Sequence, residues 1–147
     1  MKAVAEIEIP RPPKAVFEYM DVPENQARIS PRLTAVETLG TRDNGGKRAR
    51  YTYRLLGLDF DGEVHGVVHD PPERISFELS GDIEGRIEWT FEPTDGGTRV
   101  TYATTYDLGL PTVLRWLLAP VTARFNQREL DRTLRNLDEN LTEPADS

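Results

Sequence analysis

Apolar residues between Pro111 and Leu141 recur at three- and four-residue intervals: Leu114, Leu117, Leu118, Val121 and Phe125, then Leu130, Leu134, Leu137 and Leu141. That spacing predicts a long helix with one buried face. Nearly all of the preceding chain alternates instead. Residues 2–9 set Ala3, Ala5, Ile7 and Ile9 against Val4, Glu6 and Glu8, a strand with one wet face. Similar alternation predicts strands over 33–39, 47–56, 58–69, 75–80, 83–92 and 98–108. Between them stand turn signals: Asp43-Asn44-Gly45-Gly46, Gly57, Asp70-Pro71-Pro72-Glu73, Gly81-Asp82 and Pro93-Thr94-Asp95-Gly96-Gly97. Connections this short make chain neighbours antiparallel.

The long connection, between the first and second strands, carries two short helices. One follows Pro10, Pro12 and Pro13 and includes Ala15 to Met20; the other runs from Pro23 to Ile29 and is closed by Ser30-Pro31. The order β-α-α-β-β-β-β-β-β-α predicts an α+β fold, in which a seven-stranded curved antiparallel sheet and a long C-terminal helix bury each other's apolar faces. Residues 1–147 read as one domain, with a polar tail at 142–147 that is expected to fray. Pro120 removes a backbone donor inside the helical pattern, and the apolar stripe changes phase beyond it. The helix should therefore have two parts: a movable lid or entrance with Trp116 and Leu117, and a part from Leu130 onward clamped against the sheet.

A hydrophobic fraction of 37% suits a chain that buries a core, and no apolar run approaches the ~18 residues of a membrane span. Met1-Lys2-Ala3-Val4-Ala5-Glu6 has an acid where a signal peptide would be apolar, so a cytoplasmic location is expected. The net charge of −7 argues against a nucleic-acid partner, whose phosphates reward basic patches. Abundant acids, with Arg outnumbering Lys, fit a salt-adapted or a GC-rich source equally well. The absence of cysteine excludes disulfides, thiolate metal sites and a cysteine nucleophile.

Three stretches carry a family resemblance: Pro12-Pro13-Lys14-Ala15-Val16-Phe17-Glu18-Tyr19-Met20-Asp21 after the opening strand, Trp89-Thr90-Phe91-Glu92-Pro93 with the turn Asp95-Gly96-Gly97-Thr98-Arg99-Val100, and the closing Arg132-Thr133-Leu134-Arg135-Asn136-Leu137. With them the whole chain resembles the START-like (SRPBCC) superfamily, in particular its polyketide cyclase/dehydrase and lipid-transport members. The resemblance implies a helix-grip fold with a cavity between sheet and helix, closed at one end by the two short helices. It also implies that the cavity holds sterols, lipids, polyketides or other largely apolar compounds. Some family members catalyse cyclisation or dehydration there, and others are co-chaperone or regulatory modules.

The predicted cavity lining is Tyr51, Tyr53, Phe60, Gly66, Trp89, Tyr102, Thr104 and Tyr106 from the sheet, with Trp116, Leu117, Val121 and Phe125 from the helix. Buried tyrosine and threonine hydroxyls need partners, and a pocket that is apolar with a few placed polar groups supplies them. Gly62, Gly66 and Gly85 share the inward parity and fit either a cavity or sheet curvature. His65 and His69 lie on the outer, acidic face of their strand, roughly 13 Å apart, too far to share a metal. A bulge near Gly62 or Gly66 would turn one of them inward. Arg48, Arg50, Arg54 and Arg86 read as outward cross-strand ion pairs, and Glu18 and Asp21 as surface acids. No phosphate loop, His-Glu-x-x-His zinc motif or nucleophile elbow occurs.

These readings favour a non-enzymatic binder of a small apolar or aromatic ligand, lipid- or polyketide-like, because no Asp, Glu, His, Lys or Arg is predicted inside. The alternatives are a cyclase/dehydrase-type enzyme using the same cavity and a protein-interaction or co-chaperone-like module. Neither cofactor nor metal is expected, catalytic residues are not assigned, and the chain should be a monomer or a homodimer.

Overall fold

The computed structural model describes residues 2–30, 32–55, 57–108 and 127–141, with Lys2, Leu55 and 106–108 described in backbone only. The elements are β1 (Lys2–Ile9), α1 (Pro13–Met20), α2 (Pro23–Ile29), β2 (Leu33–Thr41), β3 (Lys47–Leu55), β4 (Leu58–Asp70), β5 (Arg74–Gly81), β6 (Ile83–Thr94) and β7 (Gly97–Leu108). They are followed by α3 at 127–141. The seven strands form one antiparallel sheet in the order β1-β7-β6-β5-β4-β3-β2. This is the α+β helix-grip arrangement, with a strand at each stretch where alternation predicts one. β2 and β6 run on to Thr41 and Thr94, beyond the predicted ends.

Proline sets the start of both short helices. Pro13 and Pro23 occupy first-turn positions, where a missing N–H costs nothing, and the residues ahead of them, Pro12 and Val22, are extended. Val16, Phe17 and Met20 form the buried face of α1, and Phe17 meets Phe91 of β6 edge-on at 5.8 Å. The inner face of the sheet supplies Ala5, Ile9, Ile75, Trp89, Phe91 and Val100 to the same core, which Leu130, Leu134 and Leu137 of α3 complete.

A second stripe on α3 is polar. Glu129 faces Arg32, Thr133 is buried, Asn136 Nδ2 donates to Ile29 O (2.8 Å) and Asn140 Nδ2 donates to Tyr19 Oη (3.2 Å). Spacings of four, three and four put these residues on one face beside the leucines. The apolar stripe thus grips the sheet while the polar stripe ties α3 to α1, α2 and the approach to β2. The predicted lid residues Trp116 and Leu117, with Val121, Phe125 and the tail 142–147, lie outside the described residues.

Strand β4 departs from the alternation. Its pairing with β5 is shifted between Gly66 and Val68, leaving Gly66 opposite Phe77 but His69 opposite Ile75. Phe77 and Ile75 both face inward, so the extra residue Val67 carries His69 from the outer face to the inner one. His65, ahead of the shift, keeps the outer face between Arg48 and Glu78. On that outer face three of the four expected arginines form ion pairs, Arg48–Glu63 (3.2 Å), Arg54–Asp59 (3.0 Å) and Arg50–Glu37 (4.0 Å), whereas Arg86 has none among the described residues.

Candidate functional site

Between the inner face of the sheet and α3, beside α2, lies a hollow of about 120 Å³. Its described lining is mostly apolar: Leu33 and Val36 of β2, Val64 of β4, Phe77 and Leu79 of β5, Ile83 and Ile87 of β6, and Leu130 of α3. Tyr51 and Tyr53 enter from β3, and Tyr102 and Thr104 from β7. Inward parity brings these residues together from strands that are not neighbours, because the hollow spans the sheet from β2 to β7.

Polar groups punctuate this wall. The Tyr51 hydroxyl and Thr104 Oγ1 are buried, and neither has a hydrogen-bond partner among the described residues. Burial pushes the Tyr51 phenol up to about 12, with the Asp82 and Asp61 carboxylates adding to the effect. Near neutral pH it is therefore an O–H donor. Tyr51 stands opposite Gly62 in the β3–β4 ladder, and its ring crosses that position: a Cβ on Gly62 would lie 2.8 Å from the hydroxyl and would clash with Ser80 O. Glycine there makes room for the phenol.

Sequence reading missed the charged part of the wall. Arg32, just before β2, and Glu129, on α3, both line the hollow, and Arg32 Nε donates to Glu129 Oε1 at 3.4 Å. Gln26, Ser30 and Thr133 also contribute. The available signal was the polar stripe Glu129-Thr133-Asn136-Asn140, running alongside the leucines.

Other predicted lining residues sit elsewhere. Phe60 packs with Tyr51 and Ile83 in a small cluster, outside the described lining. Trp89 lies behind the wall, stacked on Tyr102 with ring centres 4.0 Å apart and planes 5° from parallel. Its Nε1 is buried without a partner among the described residues. Gly66 meets the β2–β3 turn rather than the hollow: a Cβ there would be 2.8 Å from Gly46 Cα. Tyr106 is placed by its backbone opposite Gly85.

His69 and Asp21 correct the expected outer histidine and surface acid. His69 Nε2 lies 3.0 Å from Asp21 Oδ1, Lys47 Nζ lies 3.4 Å from Asp21 Oδ2, and the imidazole meets Phe17 edge-on at 5.3 Å. Asp21 caps the C-terminal end of α1, so this cluster joins α1 to β3 and β4 and does not line the hollow.

Residues 1–142 match the family described as Polyketide cyclase / dehydrase and lipid transport. The chain belongs to that family. Solved structures similar to this START-like chain include TTHA0849 from Thermus thermophilus, 24% identical over 96% of this chain and 97% of that one, with a TM-score of 0.84. A START superfamily protein from Mycobacterium smegmatis is 12% identical over 95% and 96%, with a TM-score of 0.75. A conserved protein from Geobacillus kaustophilus is 11% identical over 96% and 95%, with a TM-score of 0.74. At these identities the likeness establishes the helix-grip fold. No curated protein matches the chain. Family and fold together make this a START-like ligand-binding domain. Among the described residues no helix is long and apolar enough to cross a membrane.

Proposed function

We propose that the protein binds one small, largely apolar or aromatic molecule in the hollow between the sheet and α3. The observation that carries this reading is the pair of buried hydroxyls, on Tyr51 and Thr104, without partners among the described residues on a mostly apolar wall. A buried hydroxyl left unpaired costs stability, and a ligand carrying acceptors or donors recovers it. The cavity lining then comprises Tyr51, Tyr53, Tyr102 and Thr104 from the predicted set, joined by Arg32 and Glu129.

The test is native mass spectrometry of freshly purified protein, comparing wild type with Tyr51→Phe/Thr104→Val. A bound small molecule that is present in the wild type and depleted in the double variant supports the reading. A wild-type protein that stays bare and takes up no aromatic probe overturns it.

A second reading, cyclase/dehydrase-type catalysis, gains from one observation. Proton transfer needs a titratable group within reach of the ligand, and Glu129 lines the hollow. Turnover of an aromatic-precursor polyketide that is lost in Glu129→Gln with ligand binding retained would favour the enzyme over the carrier.

A further inference from the structure

We infer that Glu129 selects the ligand's head group by charge: the pocket takes a molecule whose polar end is uncharged and carries an O–H or N–H donor, and it rejects the same molecule bearing a carboxylate. The inference rests on the ligand-pocket reading and adds the chemistry of what the pocket holds.

Glu129 and Arg32 are the charged residues of the described lining, and they are unequally placed. The Glu129 side chain is 11% exposed and that of Arg32 is 42% exposed, so the carboxylate is the deeper member. Between the two residues the contact is one nitrogen to one oxygen, Arg32 Nε to Glu129 Oε1, at 3.4 Å. Glu129 Oε2 has no donor among the described residues. Its backbone is held by the turn of α3 that buries Leu130 and Thr133, and Glu129 itself is buried with them.

An incoming carboxylate would meet this like charge where water is scarce and repulsion is poorly screened. Arg32 does not rescue it, because the guanidinium is already engaged by Glu129 and is the more solvated of the two. A hydroxyl or amide meets no such repulsion, and its N–H or O–H fits an acceptor oxygen that has no donor among the described residues. The overall charge of −7 pushes in the same direction.

The experiment uses three probes that share a naphthalene body: 2-naphthol, 2-naphthamide and 2-naphthoate. Each is titrated by its own fluorescence near neutral pH against the full chain, Glu129→Gln and Arg32→Met. Wild type should bind the two uncharged probes roughly tenfold or more tighter than 2-naphthoate, as expected for a like charge a few ångströms away. Glu129→Gln should close that gap by raising naphthoate affinity, and Arg32→Met should widen it. Equal binding of naphthol and naphthoate by wild type, or a ratio unchanged in Glu129→Gln, overturns the inference while leaving the pocket standing. Failure of all three probes to bind wild type overturns the pocket and the inference together. If Glu129→Gln does not fold, as judged by circular dichroism, the Arg32→Met ratio decides, and no change there is a refutation.

Discussion

His69 Nε2 and Asp21 Oδ1 stand 3.0 Å apart, which bonds the far end of β4 to the residue that caps α1. The contact exists because Val67 is an extra residue in the ladder. Replacing His69 with Ala empties a partly buried site against Phe17 and strips Asp21 of a partner, so stability should fall by about 1–3 kcal/mol. His65→Ala, on the outer face of the same strand, should change it by no more than about 0.5 kcal/mol. Urea unfolding followed by circular dichroism compares the two. Equal losses would mean that the shift does not turn His69 inward.

Gly66 is held to glycine by backbone. A side chain there would press on Gly46 Cα at 2.8 Å and on Lys47 N at 2.9 Å, atoms that cannot step aside. Gly66→Val should cost about 1–3 kcal/mol in unfolding free energy, in line with other overpacked sites. Its folded fraction should bind aromatic probes as wild type does. Gly40→Ala, with nothing within 4 Å, is the control and should be close to silent. Probe affinity that drops in Gly66→Val at unchanged stability would return Gly66 to the pocket.

Tyr51 predicts an alkaline signature. Its folded-state value of about 12 exceeds the ordinary 10.0, so as pH rises past 10 the unfolded chain loses this proton while the folded one keeps it. The stability associated with the neutral phenol is full below about 10 and is lost progressively as pH climbs toward 12. Tyr51→Phe should lessen that alkaline loss and leave stability near neutral pH unchanged or slightly higher, since the hydroxyl it removes is buried without a partner among the described residues. Phenolate absorbance, wild type minus variant, gives the titration directly. A Tyr51 midpoint near 10 would contradict its burial.

Glu24 predicts the acid side. The one Thr38 Oγ1 proton is shared between both carboxylate oxygens, at 2.6 and 2.7 Å, and Thr38 N donates to Oε2 at 3.2 Å. The Thr38 hydroxyl is the main reason the carboxyl sits below its usual 4.5, with burial opposing it. A lowered folded-state value means stability that is present above 4.5 and lost as pH falls through the folded value. Thr38→Val should flatten that part of the acid unfolding curve and loosen α2 from β2. Superimposable curves for wild type and variant would show that the bond contributes nothing.

Strand identity was legible because most of the strands bury one face, and alternation reports that directly. Ala49, Tyr51 and Phe60 are buried where parity puts them. The run Gly66-Val67-Val68 breaks the alternation, but it does not say whether the chain pauses or slips, so His69 went to the wrong face. The wall of the hollow was half legible. Tyr51, Tyr53, Tyr102 and Thr104 follow from parity, whereas Arg32 and Glu129 meet across 97 positions, from a loop and a helix. Periodicity identified the leucines of α3 as its buried side, and the polar stripe beside them was hidden by the assumption that polar residues face water.

The pairing of β1 with β7 also bears on how the chain reaches its native state. Ala3 lies opposite Thr104 and Ile7 opposite Val100, so the opening strand has no hydrogen-bonding neighbour until the closing strand of the sheet exists. The six-stranded meander can assemble by local hairpins, each step joining chain neighbours. The final step closes a loop of most of the domain, and α3 then locks it with Gln127 Nε2 donating to Val4 O at 3.1 Å. Folding should therefore be slow for a chain of this size, with β1 the last strand to dock. During that wait the open edges of β1 and β7 are the surfaces on which two nascent copies would most readily pair by mistake.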